Sequence, residues 1–271
     1  MSKTWFVTGS SRGLGRSFVE AALERGDKVA ATARNTESLA DLATAYGERL
    51  LALPLDVTDK TAVSAAVEKA HTHFGRLDVV VNNAGYGHFG MVEELTEAEV
   101  RNQFETNFYG VLWVTQAALP VLRAQGGGHI VQVTSVGGVL AFPSLGAYHA
   151  SKWAVEGLSE SLAAEVAGQN IKVTMVEPGP YPTDWPGASA ANSEPDPLYD
   201  GVRKALAEGL DLSDLGNPKA VGPALLSIVD AENPPLRVFF GRPPIAMVKD
   251  LYARKLATWA EWEHVSLAAH G

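Results

Sequence analysis

Residues Lys3–Gly15 read KTWFVTGSSRGLG: an apolar run from Lys3 to Thr8 passes directly into a turn holding Gly9, Gly13 and Gly15. The run is short, rich in aromatic and β-branched residues and ended by glycine, which predicts a buried strand. Beyond the turn, Leu14 to Arg25 has helical spacing and stops at Gly26-Asp27, and Lys28 to Ala33 (KVAATA) is a second apolar strand. Strand, glycine-rich turn, helix and strand make the first βαβ unit of a dinucleotide fold. The glycines allow a tight turn and a close backbone approach to a pyrophosphate. The helix start beyond them offers free N–H groups and a positive dipole end. A glycine pattern alone is a weak signal; its place between a strand and a helix gives it weight.

The alternation continues through the chain. Helices are predicted over 36–46, 59–74, 96–125 with an interruption near Gly110, 147–167 and 218–230. Strands are predicted over 50–55, 77–81, 129–134, 171–176 and 236–240. Strands that are apolar throughout and separated by helices mean a parallel sheet covered on both faces. The expected fold is therefore α/β: one Rossmann-type, doubly wound domain over 1–271, with a seven-stranded parallel sheet. The region 180–218 is rich in Pro, Gly, Ala and Ser, with Tyr181, Trp185 and Tyr199 interspersed. It reads as a weakly structured substrate loop, mobile without ligand and ordered as a lid when ligands bind. A helical extension covers 243–271, where Leu251, Leu256 and Trp259 are expected to pack. In such sheets the site lies beyond the carboxyl ends of the strands. Gly9 to Gly15, Asn83 to Gly85, Ser135 and Pro178-Gly179 all fall at such ends.

Composition narrows the function classes. The chain has 271 residues, 46% hydrophobic and 20% charged, enough for one large core. Its net charge of −9 argues against nucleic-acid or anionic-membrane partners. There is no Cys, hence no disulfide framework, thiolate metal site or thiol nucleophile. No metal site is expected. No apolar run approaches bilayer length and no secretory signal is read, so a cytoplasmic location is expected.

The stretch Tyr148-His-Ala-Ser-Lys152 lies in the predicted helix over 147–167, where residues four apart share a face. A phenol ionises near pH 10; an ammonium beside it favours the phenolate. The pair is a candidate proton donor and acceptor for a carbonyl or an alcohol.

Together these residues resemble the short-chain dehydrogenase/reductase (SDR) family from about Lys3 to Phe240. Thr8, Gly9, Gly13 and Gly15 meet its TGxxxGxG pattern, and Asn82 to Gly85 is its NNAG motif. Thr134-Ser135 precedes Gly137-Gly138, Tyr148 and Lys152 form YxxxK, Asn107 matches the helix asparagine, and Pro178, Gly179 and Thr183 meet PGxxxT. The extended branch of the family, with TGxxGxxG and a longer chain, fits less well.

The resemblance implies a catalytic set of Ser135, Tyr148, Lys152 and Asn107. Tyr148 would be acid in reduction and base in oxidation. Lys152 would lower its pKa and bond the nicotinamide ribose, Ser135 would bond the substrate oxygen, and Asn107 would hold a water. It also implies cofactor contacts from Gly9, Ser11, Arg12, Gly13, Leu14, Gly15, Asp56, Val57, Asn83, Ala84, Gly85, Pro178, Gly179 and Thr183, besides Tyr148 and Lys152. Asp56 has the alternative of a turn residue before Thr58, and Asn82 that of a strand cross-link. The cofactor is expected to be NADP(H). The end of the second strand carries Ala33, where an NAD-preferring fold places a carboxylate, and Arg34 follows.

Candidate substrate residues are Val136, Phe142, Tyr181 and Trp185, with His88 and Phe89 near them, pointing to an apolar or aromatic carbonyl or alcohol. The alternative is a non-catalytic NADP(H)-binding sensor on the same fold. A homodimer or homotetramer is expected, because Val111 to Val114 and the face bearing Trp153, Gly157 and Ala164 are apolar or small.

Overall fold

Each apolar run of the sequence lies in one parallel sheet of the computed structural model, which describes residues 2–185, 187, 189–209 and 213–271. In chain order the strands are β1 (Thr4–Val7), β2 (Lys28–Ala33), β3 (Leu50–Pro54), β4 (Val79–Asn82), β5 (His88–Phe89), β6 (Gly128–Val133), β7 (Ile171–Pro178), β8 (Ala191–Asn192) and β9 (Arg237–Phe240). Seven of them form the main sheet in the order β3-β2-β1-β4-β6-β7-β9, and every neighbouring pair is parallel. The strand order reverses between β1 and β4, which opens the crevice where such folds hold ligands. The two short strands β5 and β8 pair separately, also in parallel.

The helices are α1 (Gly13–Glu24), α2 (Ala40–Tyr46), α3 (Lys60–Phe74), α4 (Glu97–Phe104), α5 (Gly110–Ala124), α6 (Gly146–Val166), α7 (Asp200–Gly209), α8 (Val221–Asp230), α9 (Pro243–Glu261) and α10 (Glu263–His270). Successive residues of β1 feed opposite faces of the sheet. Trp5 and Val7 join Phe18 and Leu23 of α1 and Leu225 of α8 in one core layer; Phe6 joins Val67 of α3, Val114 of α5 and Leu162 of α6 in the other. Trp5 and Phe6 are fully buried, and each large side chain buried this way stabilises the fold by about 1.5–3 kcal/mol.

Three elements differ from the sequence reading. The helix expected over 36–46 opens as a 3-10 turn, Thr36–Leu39, because the Asn35 side chain accepts from the Glu37 N–H and caps a tighter start. The helix expected over 96–125 with an interruption near Gly110 does break there: a π-turn at Glu105–Tyr109, which holds Asn107, leads into Gly110. One wide turn of this kind shifts the facing of every later residue.

The region 180–218 carries β8, a 3-10 turn at Pro197–Tyr199 and α7, so it is more structured than its composition implies. Polar contacts fasten it: Asp196 N–H to Glu94 Oε1 at 2.7 Å, Arg203 to Glu94, and Tyr199 to Glu93. Residues 186, 188 and 210–212 of that expected loop lie outside the described residues. The expected packing of the C-terminal extension is corrected too. Leu256 and Trp259 are 60% and 65% exposed. Leu251 is half-buried; the apolar face that Leu256 and Trp259 continue is left uncovered among the described residues.

His129 on β6 is buried, with Nε2 hydrogen-bonded to Thr174 Oγ1 at 3.0 Å. Burial, helped by Lys172 and Lys3, lowers its pKa to about 4. The unfolded chain binds this proton near pH 6.5 and the folded chain only near 4, so stability is lost as pH falls through that window. We expect wild type to lose up to about 3 kcal/mol relative to His129→Gln between pH 7 and 4. Urea unfolding of both proteins at the two pH values checks this; parallel losses would contradict it.

Candidate active site

The glycine turn is held from two sides. Gly9 adopts φ +66°, and a Cβ there would stand 2.8 Å from Ala84 Cα, so the turn and the segment after β4 touch backbone to backbone. Thr8 Oγ1 accepts from the N–H groups of Asn83 and Ala84, both at 3.0 Å. The Asn83 amide donates to the carbonyls of Thr8 and Gly9 at 3.0 Å. Its side chain is therefore committed to bracing the turn. Asn82 cross-links instead, donating to Gln132 Oε1 at 2.8 Å and to Thr115 Oγ1 at 3.2 Å.

The start of α1 fits a phosphate. No acidic residue lies in its first turn and Arg12 makes no side-chain cap, so its leading N–H groups have no side-chain partner there. A Cβ on Gly13 would meet only Thr183, at 3.9 Å, which leaves room above the turn. Ser11, Leu14 and Gly15 belong to this same turn and first helical residues. At the sheet's far side Ala33 is 4% exposed and ends β2. Arg34 is exposed and makes no hydrogen bond or ion pair among the described residues. Arg12 is engaged: its Nη1 lies 2.9 Å from Asp184 Oδ2. Asp56 accepts from both the N–H and the hydroxyl of Thr58 at 2.9 and 2.8 Å, the turn-residue alternative. Val57 is buried against Gly110. Pro178 ends β7, and Gly179 N–H donates to Phe240 O at 2.8 Å.

Tyr148 and Lys152 share a face of α6 and are both 5% exposed. Ser135, two residues beyond β6, is near enough to the phenol to oppose the rise in its pKa, and its Oγ accepts from Gly137 N–H at 2.9 Å. Lys152 Nζ donates to Val133 O at 2.9 Å and stands 5.9 Å from the Tyr148 ring centre. The electrostatics correct the expectation that the lysine lowers the phenol. Burial pushes Tyr148 up to about 12, opposed only by Ser135, and burial lowers Lys152 to about 8, opposed by Glu156. Two buried groups each resist the charged form, and the ammonium is spent on the Val133 carbonyl. At pH 7 the phenol is protonated and the lysine still mostly charged.

Asn107 is fully buried in the π-turn. Its Nδ2 donates to Tyr86 O at 3.0 Å and to Ser151 Oγ at 3.2 Å, while Oδ1 accepts from Tyr86 N–H at 3.1 Å. A Cβ on Gly85 would meet Asn107 Oδ1 at 3.1 Å and Lys152 Nζ at 3.6 Å, so the asparagine and the lysine flank one glycine.

The expected substrate residues separate. Trp185 packs edge-on against Tyr148, ring centres 5.0 Å apart, and against Phe89 at 5.6 Å. Phe142 leans on His149 at 5.6 Å, and Val136 is buried beside Ser135. Tyr181 instead packs on the core layer of α1 and beneath Gly216. His88 is buried, with Nε2 2.9 Å from Ser193 Oγ, and ties β5 to the loop rather than to Tyr148.

Sequence reasoning passed over His149. It is buried; Nδ1 bonds Gly137 O and Nε2 accepts from Phe142 N–H, both at 2.9 Å. The donor from Phe142 fixes the neutral Nδ1–H tautomer, and burial favours that neutral form. Its place beside Tyr148 was the available signal, but both partners lie seven to twelve residues upstream. The ring pins the segment between Ser135 and Phe142 to α6.

A doubly wound parallel sheet, a glycine turn at its switch point and a buried Tyr-Lys pair beside it define a Rossmann-like α/β protein. The family model for short chain dehydrogenase matches residues 3–194, and the chain belongs to that family of oxidoreductases. It is 42% identical over 273 residues to oxidoreductase BOA17 of Botryotinia fuckeliana strain B05.10, covering 99% of this chain and 100% of that one. A short-chain dehydrogenase structure from Streptomyces avermitilis superposes with TM-score 0.91 at 40% identity, covering 99% and 98% of the two chains. An alcohol dehydrogenase from Thermococcus sibiricus, complexed with 5-hydroxy-NADP, gives TM-score 0.76 at 25% identity, covering 90% and 98%. A Burkholderia phymatum family member in complex with NAD gives 0.79 at 26%, covering 92% of each.

His149→Phe removes both pins and leaves Gly137 O and Phe142 N–H without their partner. The expected cost is about 1–3 kcal/mol of stability, measured by urea unfolding. A variant as stable as wild type would show that the ring does not hold the segment.

Proposed function

We propose that the protein is an NADP(H)-dependent oxidoreductase that interconverts a ketone or aldehyde and its alcohol. The observation that carries the reading is the buried Tyr148 phenol, near Ser135 and one helical turn from Lys152, at the carboxyl edge of the sheet beside the glycine turn. In this reading the first turn of α1, with Gly13 and Thr183, holds the pyrophosphate, and Lys152 meets the nicotinamide ribose. The bound nicotinamide supplies or accepts the hydride. Tyr148 gives its proton to the substrate oxygen in reduction and takes it back in oxidation. Ser135 donates to the same oxygen as charge grows on it. Asn107 holds Tyr86 and Ser151 in place around Lys152.

Cofactor choice follows from the end of β2. Ala33 offers no carboxylate to a ribose 2′-hydroxyl and does not repel a 2′-phosphate. Arg34 is exposed there with all its donors available. Arg12 is paired with Asp184, but both side chains are about half exposed, and a pair of that kind is worth about 0–1 kcal/mol. A phosphate dianion competes readily with it. Family members are known with either cofactor type, as the 5-hydroxy-NADP and NAD complexes illustrate, so the reading rests on Ala33 and Arg34. Trp185, Phe89, Phe142 and Val136 around Tyr148 favour an apolar or aromatic substrate.

Assembly and location complete the reading. Trp153 on α6 and Tyr109 beside α5 are 43% and 40% exposed, which favours an oligomer through these helices. No helix among the described residues is long and apolar enough to cross a membrane, in keeping with a cytoplasmic enzyme.

The test is nicotinamide absorbance with a panel of aromatic and aliphatic ketones, aldehydes and alcohols, run with NADPH and with NADH. One or two charge-assisted bonds at about 1.5–3 kcal/mol each imply a preference of roughly tenfold to more than a hundredfold for NADPH. Equal efficiency with both cofactors would overturn the cofactor assignment. NADPH binding with no turnover on any substrate would favour the sensor.

A further inference from the structure

One helical turn after Lys152, α6 carries Glu156, and β7 brings Glu177 against it. Glu156 is 4% exposed and Glu177 fully buried. Both meet the same nitrogen: Arg237 Nε on β9 lies 2.9 Å from Glu156 Oε2 and 3.3 Å from Glu177 Oε1. Arg237 Nη1 is drawn off to Glu160 Oε1 at 2.5 Å. Glu156 Oε1 and both oxygens of Glu177 have no hydrogen-bond partner. The pair backs onto the serine turn, since a Cβ on Gly138 would stand 3.0 Å from Glu156 Cγ.

Two ionised carboxylates cannot share one guanidinium nitrogen in a dry site at low cost. Three buried carboxyl oxygens without a hydrogen bond, one of them in ionic contact with Arg237 alone, are accounted for if one carboxyl keeps its proton and donates to the other. The charges then balance. The pair carries −1, Glu160 −1, Arg237 +1 and Lys152 +1, the charged groups that act on the pair among the described residues. Burial raises both acids, Glu177 to about 8 with Glu156 adding to the rise; Thr134 and Arg237 oppose it at Glu156.

We propose that Glu156 and Glu177 share one proton and act together as a positioning unit for Lys152, their single negative charge keeping its buried ammonium charged. Lys152 and Glu156 are i and i+4 on α6, so the carboxyl shares the ammonium's face of the helix and acts on it through space rather than by direct contact. The coupling to turnover rests on the oxidoreductase reading above; the shared proton does not.

Two measurements separate these parts. Infrared spectra of the full-length wild type across pH 5 to 10 should show a protonated-carboxyl C=O stretch that persists at pH 7, disappears near pH 8 and is missing in Glu177→Gln. A wild type with no such band at pH 7 overturns the shared proton, whatever the enzyme turns over. The pH profile of kcat reads the coupling. Glu156→Gln should move the alkaline limb down by about one pH unit, while Glu177→Gln, which leaves the charge on Glu156 itself, should move it up. A merely structural pair would lower kcat at every pH and leave the limb in place. Folded variants, judged by circular dichroism, with unmoved limbs overturn the coupling to Lys152.

Discussion

A parallel sheet that ends inside a protein leaves its last carbonyls in need of donors, and this molecule meets that need with polar side chains that include the candidate site residues Lys152 and Asn83. Lys152 donates to Val133 O at the end of β6, and Asn83 donates to Thr8 O and Gly9 O at the end of β1. Thr134 donates to Val176 O on β7 and Ser10 to Val7 O. Buried backbone groups left without partners are costly, so these polar residues would be held in place on stability grounds alone. The site inherits its rigidity from that requirement. Lys152 is oriented by a strand end, and the phenol one turn before it is oriented by the same helix.

The same arrangement explains the electrostatics. Closing the strand ends removes water, which pushes the phenol up and the ammonium down together. A buried lysine needs compensating charge nearby. Glu156 is that charge, and Glu177 with Arg237 keeps it from becoming one carboxylate too many. The resulting pair is a protonated phenol and a charged lysine at neutral pH, the state that the proposed proton transfer to a substrate oxygen requires.

Much of this was legible in the residues. The apolar runs gave all seven main strands to within about two residues, and the glycine turn gave the switch point. Gly9 of TGxxxGxG meets Ala84 of the NNAG segment, and Lys152 of YxxxK lies beside Gly85 of the same segment. What the sequence hid depends on distant partners. His149 bonds Gly137 and Phe142, and Glu177 finds Glu156 only because β7 lies under α6. The π-turn at Asn107 differs from a helix by the span of a few backbone hydrogen bonds, which no periodicity resolves. Tyr181 and Trp185, four residues apart, read alike as aromatic loop residues, yet one joins the core and the other packs edge-on against Tyr148. The apolar face of α9 was visible, but a pattern records only that a face is apolar, not what covers it.

The account stands on Tyr148 as the group that moves the proton, and the most direct measurement compares Tyr148→Phe with wild type for both kcat and NADPH affinity. Removing one hydroxyl from a buried ring should lower kcat by about 10²–10⁴-fold while NADPH binding, followed by fluorescence titration, changes by less than about threefold. A Phe variant that keeps more than roughly a tenth of wild-type kcat with its best substrate would contradict the account, since general acid catalysis by this group then contributes too little to matter.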